Sequence, residues 1–301
     1  MRQPKSNPII ESLVSIKMGD NEWSWSHALA HALKLKKKES KCVWVHSVET
    51  VLPPYTELQF TDIREAVAFL SSHNTDRDTI VLMQGRHVIT PREADSLNIL
   101  TIPSPIKIIG ISIKPDVFLE GGIVFKNGIG MCHLEHLTLH GARTFGVLGH
   151  SSFTMNDVIV VECAVGVMAS GTGVVGRCNN LKVCNSMCSG VTVSVGASII
   201  LSGNTQVYKN GEGRSVTDYG LLISSTSTIQ LVPPLTKEGV SINNADDRNC
   251  NRYDLVRYVG DNAGDSVGDD LVEMVHGVGD DLVEMVHGVV EMGEPQVVLR
   301  L

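Results

Sequence analysis

The chain has 301 residues and a formal net charge of −8 at pH 7, with 43% hydrophobic but only 5% aromatic residues. This length can bury a sizeable core, and an apolar content carried by Val, Ile and Leu favours strands. The negative charge disfavours nucleic acid and anionic membrane surfaces as partners. Because there is no signal-peptide core and no run of about 18 apolar residues, neither secretion nor membrane spanning is predicted.

The seven cysteines lack the spacing of a disulfide framework. Cys178, Cys184 and Cys188 cluster, but without the paired CxxC units that are typical of a zinc site. We therefore expect reduced and mostly buried thiols and no metal ion, in a protein of the cytoplasm or nucleus. We also expect a monomer without a cofactor.

Residues 1–58 carry the weakest pattern in the chain. Residues 24–38 have the spacing of a helix that ends in three lysines, which suit the negative end of a helix dipole. His27 and His31 are four residues apart, but Ala and Leu residues lie between them, so the glutamate of a zinc-protease motif is missing. We interpret this segment as a partly helical N-terminal extension.

From residue 62 onwards the pattern is clearer. Asp62 and Glu65 have the spacing of a capping box, and the apolar residues that follow predict a short helix over 62–71. An alternating strand, a glycine turn and a second strand follow over 78–89, and further short apolar strands continue after them. The intervals between these strands are too short for crossover helices, so the chain must coil or fold back.

Three later stretches look like copies of one coil, each with a short alternating strand and a second strand that opens on Gly-Val. Their glycines, Gly146, Gly166 and Gly190, lie 20 and 24 residues apart, and a looser copy follows at 219–221. A period this short predicts a solenoid of stacked β-coils.

The segments IREAVAFLSSHNTDRDTIVLMQGRHVI (63–89) and LTIPSPIKIIG (100–110) resemble the opening of a right-handed parallel β-helix of the pectin-lyase-like superfamily. The likeness runs from about residue 61 to about residue 231 and is nearest to the non-catalytic β-helix domains of F-box-linked receptor and scaffold proteins. It implies an all-β fold, a single right-handed parallel β-helix (β-solenoid) with an N-terminal capping helix. No F-box is recognisable in residues 1–58.

The end of the chain differs from the coils. Residues 241–267 are rich in Asn, Asp, Arg and Gly, and an exact duplication of 11 residues then occupies 268–278 and 279–289. We predict a linker and a weakly ordered acidic tail over 241–301. The predicted organisation is therefore an extension over 1–58, a β-helix domain over 59–240, and this tail.

Strand alternation separates an inward from an outward side of the coils. Leucines and valines point inward in two columns, Leu137/Val158/Leu181 and Leu139/Val160/Val183. On the outward side, His136, Thr138 and His140 follow one strand, Asp157 lies above His136 with Asn180 and Asn204 after it, and Lys182 lies above Thr138. The candidate ligand-binding residues are His136, His140, Asp157 and Lys182.

Two interpretations of this outward side stay open. His136 beside Asp157 has the form of an acid–base pair, whereas a row of Asn, Thr and His is also typical of a solvated polar ladder. His133, His136 and His140 have no carboxylate or thiol that completes a metal set.

The sequence lacks the acid clusters that enzymes resembling this fold use. Calcium-binding aspartates with a basic residue, paired aspartates with His, and an Asp-Pro-His-Asp signature are all missing. We therefore predict a non-catalytic recognition or scaffold module that binds a protein or a glycan on its outward strand face. The alternative is a diverged polysaccharide lyase or glycoside hydrolase.

Overall fold

The computed structural model describes residues 42–47, 58–73, 77–91, 97–111, 117–212, 218–224 and 226–260. The predicted helix over 24–38 and the duplicated segment over 268–289 lie outside the described residues.

Within this part of the chain every strand pairing is parallel, and the strands form three sheets of ten, seven and six strands. Sheet A contains β1 (Cys42–Val45), β2 (Gln59–Phe60), β3 (Thr79–Met83), β6 (Lys107–Ile111), β9 (Cys132–Glu135), β12 (Phe153–Asn156), β15 (Val175–Asn179), β18 (Ser198–Ser202), β21 (Thr228–Leu231) and β23 (Val256–Tyr258). Sheet B contains β4 (Gly85–Val88), β7 (Val117–Glu120), β10 (Thr138–His140), β13 (Ile159–Val161), β16 (Lys182–Cys184), β19 (Gln206–Tyr208) and β22 (Ser241–Ile242). Sheet C contains β5 (Ile99–Ile102), β8 (Gly122–Phe125), β11 (Phe145–Gly149), β14 (Val165–Ser170), β17 (Val191–Ser194) and β20 (Leu221–Ile223).

The chain visits sheets A, B and C in turn, so that β9, β10 and β11 make one coil and β12, β13 and β14 make the next. The result is an all-β parallel β-solenoid of about 7 turns, which confirms the predicted fold class. Successive coils lie one strand spacing apart, about 4.8 Å, so equivalent residues form columns along the solenoid.

The core is a stack of aliphatic columns. Leu137, Val158 and Leu181 are buried as predicted, and so are the members of the second inward column. The glycine of the Gly-Val pair is required by packing at the corner into sheet C. A Cβ on Gly166 would lie 2.3 Å from both the Gly190 carbonyl oxygen and Val183 Cγ1.

The predicted helix over 62–71 is confirmed as α1 (Ile63–Ser72). The Asp62 side chain caps it by accepting a hydrogen bond of 2.7 Å from the Arg64 backbone N–H. Its buried residues, Ile63, Ala66, Val67 and Leu70, belong to the same apolar core as the first coils. The helix therefore covers the end of the core at the N-terminal side of the solenoid, where it packs on β1 and β2.

Sheet A continues past the predicted domain boundaries of 59 and 240. Strand β1 pairs with β3 and strand β23 pairs with β21, so both lie in the solenoid although the sequence placed them in the extension and the tail. Between β21 and β23 the chain forms a short helix, α2 (Lys237–Val240), and two 3₁₀ turns, Ala245–Asp247 and Tyr253–Leu255.

Candidate functional site

The corner from sheet A into sheet B repeats one backbone conformation. His136, Asp157 and Asn180 each have φ of 52°, in the left-handed region, and Gly203 has φ of 64°. Asp and Asn tolerate this region because their short polar side chains bond locally, and glycine has no Cβ. The corner therefore places one side chain of each coil in a single column, which we call the corner column: His136, Asp157 and Asn180.

The last residues of the sheet A strands form a second column beside it. This strand column contains Glu135, Asn156, Asn179 and Ser202, which are register partners in neighbouring strands. Asn179 Nδ2 donates to Asn156 Oδ1 at 2.8 Å, and Asn156 Nδ2 donates to Glu135 Oε1 at 3.3 Å. Ser202 Oγ donates to Asn179 Oδ1 at 3.2 Å. The two columns together are the polar ladder of the molecule.

The predicted place of Asn204 in the corner column is wrong. Asn179 pairs with Ser202 and Lys182 pairs with Gln206, so this corner has one residue more than the corner before it. Gly203 takes the left-handed position instead. Asn204 contributes its backbone N–H, which donates to Asn180 Oδ1 at 2.8 Å.

Four titratable side chains meet at one end of the polar ladder. The Glu135 carboxylate lies between two imidazoles, with Oε2 at 3.2 Å from His133 Nε2 and Oε1 at 3.3 Å from His136 Nε2. On its other side, His136 Nδ1 lies 3.6 Å from Asp157 Oδ2. We call His133, Glu135, His136 and Asp157 the histidine–acid cluster.

The environment of the two imidazoles limits what they can do. His136 has a carboxylate oxygen near each ring nitrogen, Glu135 Oε1 at 3.3 Å from Nε2 and Asp157 Oδ2 at 3.6 Å from Nδ1. His133 has Glu135 at Nε2 and Thr154 Oγ1 at 2.6 Å from Nδ1. Both nitrogens of His133 and Nε2 of His136 therefore face a partner within about 3.3 Å, and His136 Nδ1 faces the Asp157 carboxylate.

The other two predicted site residues lie on the outer face of sheet B. His140 Nε2 lies 3.0 Å from Glu162 Oε2, and Lys182 stands in register between Ile159 and Gln206. The structure therefore brings His136 and Asp157 together as predicted. The ion pair of His140 is with Glu162, outside the histidine–acid cluster, and Lys182 lies two coils further along sheet B than His140.

Thr138 has the predicted register but not the predicted exposure. It pairs with Phe118 and Ile159, and flanked by these bulkier side chains it is only 3% exposed. Sequence reasoning also missed His133, Glu135 and Glu162 as site residues. The signal for the first two was available, because a spacing of two along a strand puts their side chains on one face.

The described residues contain no group of three or more His, Cys, Asp or Glu side chains arranged to hold a metal ion. All seven cysteines are free. Burial raises the pKa of the Cys163 thiol to about 11 and that of Cys178 to about 12, so both thiols are protonated at neutral pH. Neither helix in the described part of the chain is long and apolar enough to cross a bilayer.

Comparisons with protein-family models, with curated proteins and with solved structures find no match to this chain. No family match supports the resemblance to the pectin-lyase-like superfamily or to F-box-linked receptors. The structure itself places the chain among the parallel β-solenoids.

Proposed function

We propose that the chain is a non-catalytic recognition module whose polar ladder binds a glycan. The observation that carries this proposal is the row of side-chain amides along the edge of sheet A. Asn156 and Asn179 each donate one hydrogen bond and accept one within the ladder. Because an amide has two N–H donors and two lone pairs, each keeps a donor and an acceptor for the hydroxyl groups of a ligand.

The ladder is also held in place before any ligand arrives. Its amides are fixed by hydrogen bonds to the coils on either side, and the left-handed corner residues fix the direction in which their side chains leave the backbone. A surface that is already ordered loses little side-chain entropy when it binds. This favours recognition by many individually weak polar contacts.

A glycan fits this surface better than a protein partner does. Protein interfaces draw most of their binding energy from Trp, Tyr and Arg anchors. The polar ladder contains none of these residues, and aromatic residues are scarce in the whole chain, at 5%. Carboxylates, amides and a hydroxyl are groups that hydrogen-bond to sugar hydroxyls.

The second candidate is a diverged polysaccharide lyase or glycoside hydrolase, and one observation favours it. Glu135 and Asp157 flank the His136 imidazole. Carboxylates and imidazoles are the side chains that most often act as general acids and bases. Against it, both nitrogens of His133 and of His136 already face partners. The free thiols support a cytoplasmic or nuclear location for the module.

The test is a panel of neutral and acidic oligosaccharides, scored on the full chain for binding and for cleavage products. The proposal expects binding without products, and a loss of affinity of about fivefold or more in Asn156→Ala, for each hydrogen bond removed. Thr101→Ala, on the exposed face of sheet C, is the control and should bind normally. Products that disappear in His136→Ala would establish the enzyme instead. Capture of a protein by the ladder, with no glycan bound, would also overturn the proposal.

A further inference from the structure

Two histidines are buried at the N-terminal end of the solenoid, away from the polar ladder. His46 directly follows β1 and His87 lies in β4, and each is only 4% exposed. His87 is in register with Leu119, which is in register with Leu139 in the following coil. An imidazole therefore occupies the inward column that later coils fill with leucine and valine.

The two rings have few hydrogen-bond partners. His87 Nε2 lies 2.7 Å from the Met83 carbonyl oxygen and donates to it, but His87 Nδ1 has no partner. Neither ring nitrogen of His46 has one. Buried polar atoms without partners are unfavourable, and leucine would fill the same column without them. Such a pair calls for an explanation beyond packing.

The surroundings favour the neutral rings. Burial lowers the pKa of both histidines, and the His87 ring lowers the pKa of His46 further. The hydrogen bond to the Met83 carbonyl partly offsets this effect, because it raises the pKa of His87. No ion pair among the described residues joins either ring to a carboxylate.

The charged side chains that the structure describes on the neighbouring elements α1 and β7 form their contacts away from the two rings or are exposed. On α1, the Arg64 guanidinium donates to the Thr90 carbonyl oxygen at 2.7 Å, while Glu65 is exposed. On β7, Glu120 is paired with Arg86 of β4 on the outer face. Among the described residues, a proton placed on His46 or His87 would therefore lie in a buried position without a carboxylate paired to either ring.

We propose that His46 and His87 form an acid-sensitive latch, which holds the N-terminal cap on the solenoid when both rings are neutral and releases it when they are protonated. The N-terminal cap is β1, β2 and α1. His46 follows β1 of the cap and His87 belongs to the first strand of sheet B, so one ring is buried on the cap and the other in the first complete coil. A protonated ring gains hydration only by leaving the core, and this requires the cap to open.

Release of the cap has a structural consequence. In sheet A the order is β2, β1, β3, so loss of the cap leaves β3 as a free edge. Strand β3 has the sequence TIVLM, which is apolar and lacks charge. Uncovered strands of this kind pair with other chains. The latch therefore makes self-association of the solenoid depend on pH, with more self-association when the cap is released at low pH.

The direction of the pH dependence follows from linkage. Both pKa values are lowered from 6.5 in the folded protein, so the opened state binds more protons than the closed state. The stability of the cap is complete above about pH 6.5, falls as the pH drops below that value, and levels off below the folded-state pKa values. Uptake of two protons raises the opening equilibrium constant by up to about 100-fold per pH unit, and uptake of one by about tenfold.

The test is amide hydrogen exchange of the full chain from about pH 7.5 to about pH 4.5, corrected for the intrinsic exchange rate. The latch predicts that Cys42–Val45 and the helix Ile63–Ser72 lose protection as the pH falls below about 6.5, while Phe153–Asn156 stays protected. His87→Leu should make this loss of protection with falling pH less steep, and adding His46→Leu should remove it. His150→Gln, a histidine outside the cap, is the control and should behave as the wild type.

A second variant, His87→Gln, keeps the test valid if His87→Leu does not fold. His87→Gln keeps a donor for the Met83 carbonyl and cannot be protonated in this range, so it should show the same weaker pH dependence as His87→Leu. A loss of protection as steep as that of the wild type in both His87 variants, or protection of the wild-type cap that does not depend on pH, would overturn the proposal.

Discussion

Asp157 lies directly above His136 in the next coil, with its Oδ2 atom 3.6 Å from His136 Nδ1. Its other oxygen accepts a hydrogen bond of 2.9 Å from Asn180 Nδ2, so one carboxylate joins the histidine–acid cluster to the amides above it. The relationship arises because both residues take the same left-handed corner conformation in successive coils. The solenoid repeat thus converts residues far apart in sequence into one continuous polar surface.

Substitutions of Asp157 separate its charge from its hydrogen bond. Asp157→Asn keeps an acceptor for Asn180 and tolerates positive φ, and the exposed ion pair contributes little, so we expect a loss of less than about 1 kcal/mol. Asp157→Ala removes the acceptor and strains the corner, and should cost about 1–3 kcal/mol. Urea unfolding of the two variants checks this. Equal losses in both would show that the ladder hydrogen bond does not contribute.

The corner glycines provide a test of close packing. A Cβ on Gly166 would lie 2.3 Å from the Gly190 carbonyl oxygen, a backbone atom that cannot move aside easily. We expect Gly166→Ala to destabilise the fold by about 1–3 kcal/mol or more. Gly173→Ala is the matched control, because its φ is +76° but no atom lies within 4 Å. It should cost about 1 kcal/mol, and thermal unfolding ranks the two variants.

Phe153 tests the central core. It is fully buried, its ring centroid lies 5.7 Å from that of Phe125, and a Cβ on Gly149 or Gly176 would lie 2.4 or 2.6 Å from its ring. Phe153→Ala should therefore cost about 3–5 kcal/mol, through lost burial and the cavity left behind. Phe118→Ala, at a side chain that is 40% exposed on sheet B, should cost much less. Similar midpoints in denaturant for the two variants would contradict this account of the core.

The rates at which the cysteine thiols react test how well the core of the solenoid is buried. The thiolate is the reactive form, and burial raises the pKa of Cys178 to about 12, so the folded protein should leave Cys178 unmodified by iodoacetamide near neutral pH. Cys188 is only partly buried and should react before it, followed by Cys178 when the chain unfolds. Mass spectrometry of peptides after timed labelling measures the order. Early labelling of Cys178 would mean that the middle coils open readily.

The inward side of the fold was predictable because it depends on local alternation. Leu137, Val158 and Leu181 recur at the same position of each repeat. Strand alternation then puts them all on one side, which must face the core. The capping helix was predictable for a similar reason, because Asp62 and the apolar stripe after it are local signals.

The outward side was only partly predictable because it depends on register between coils. One additional residue after Ser202 moved Asn204 out of the corner column, and no local pattern shows such an insertion. The burial of His46 and His87 was not predictable for another reason. His87 alternates like any strand residue, and His46 lies in a segment that the sequence pattern assigns to an extension. Only the pairing of β1 with β3 in sheet A shows that His46 is part of the solenoid.

The most direct test of the central claim is a binding isotherm measured by calorimetry, with the strongest oligosaccharide from the panel titrated into the full chain and into Asn179→Ala. Asn179 lies in the middle of the polar ladder, where it donates to Asn156 and accepts from Ser202. We predict saturable binding with intact ligand recovered afterwards, and affinity at least about fivefold weaker in the variant. Equal affinity in the two proteins, or recovery of cleaved ligand, would contradict the account.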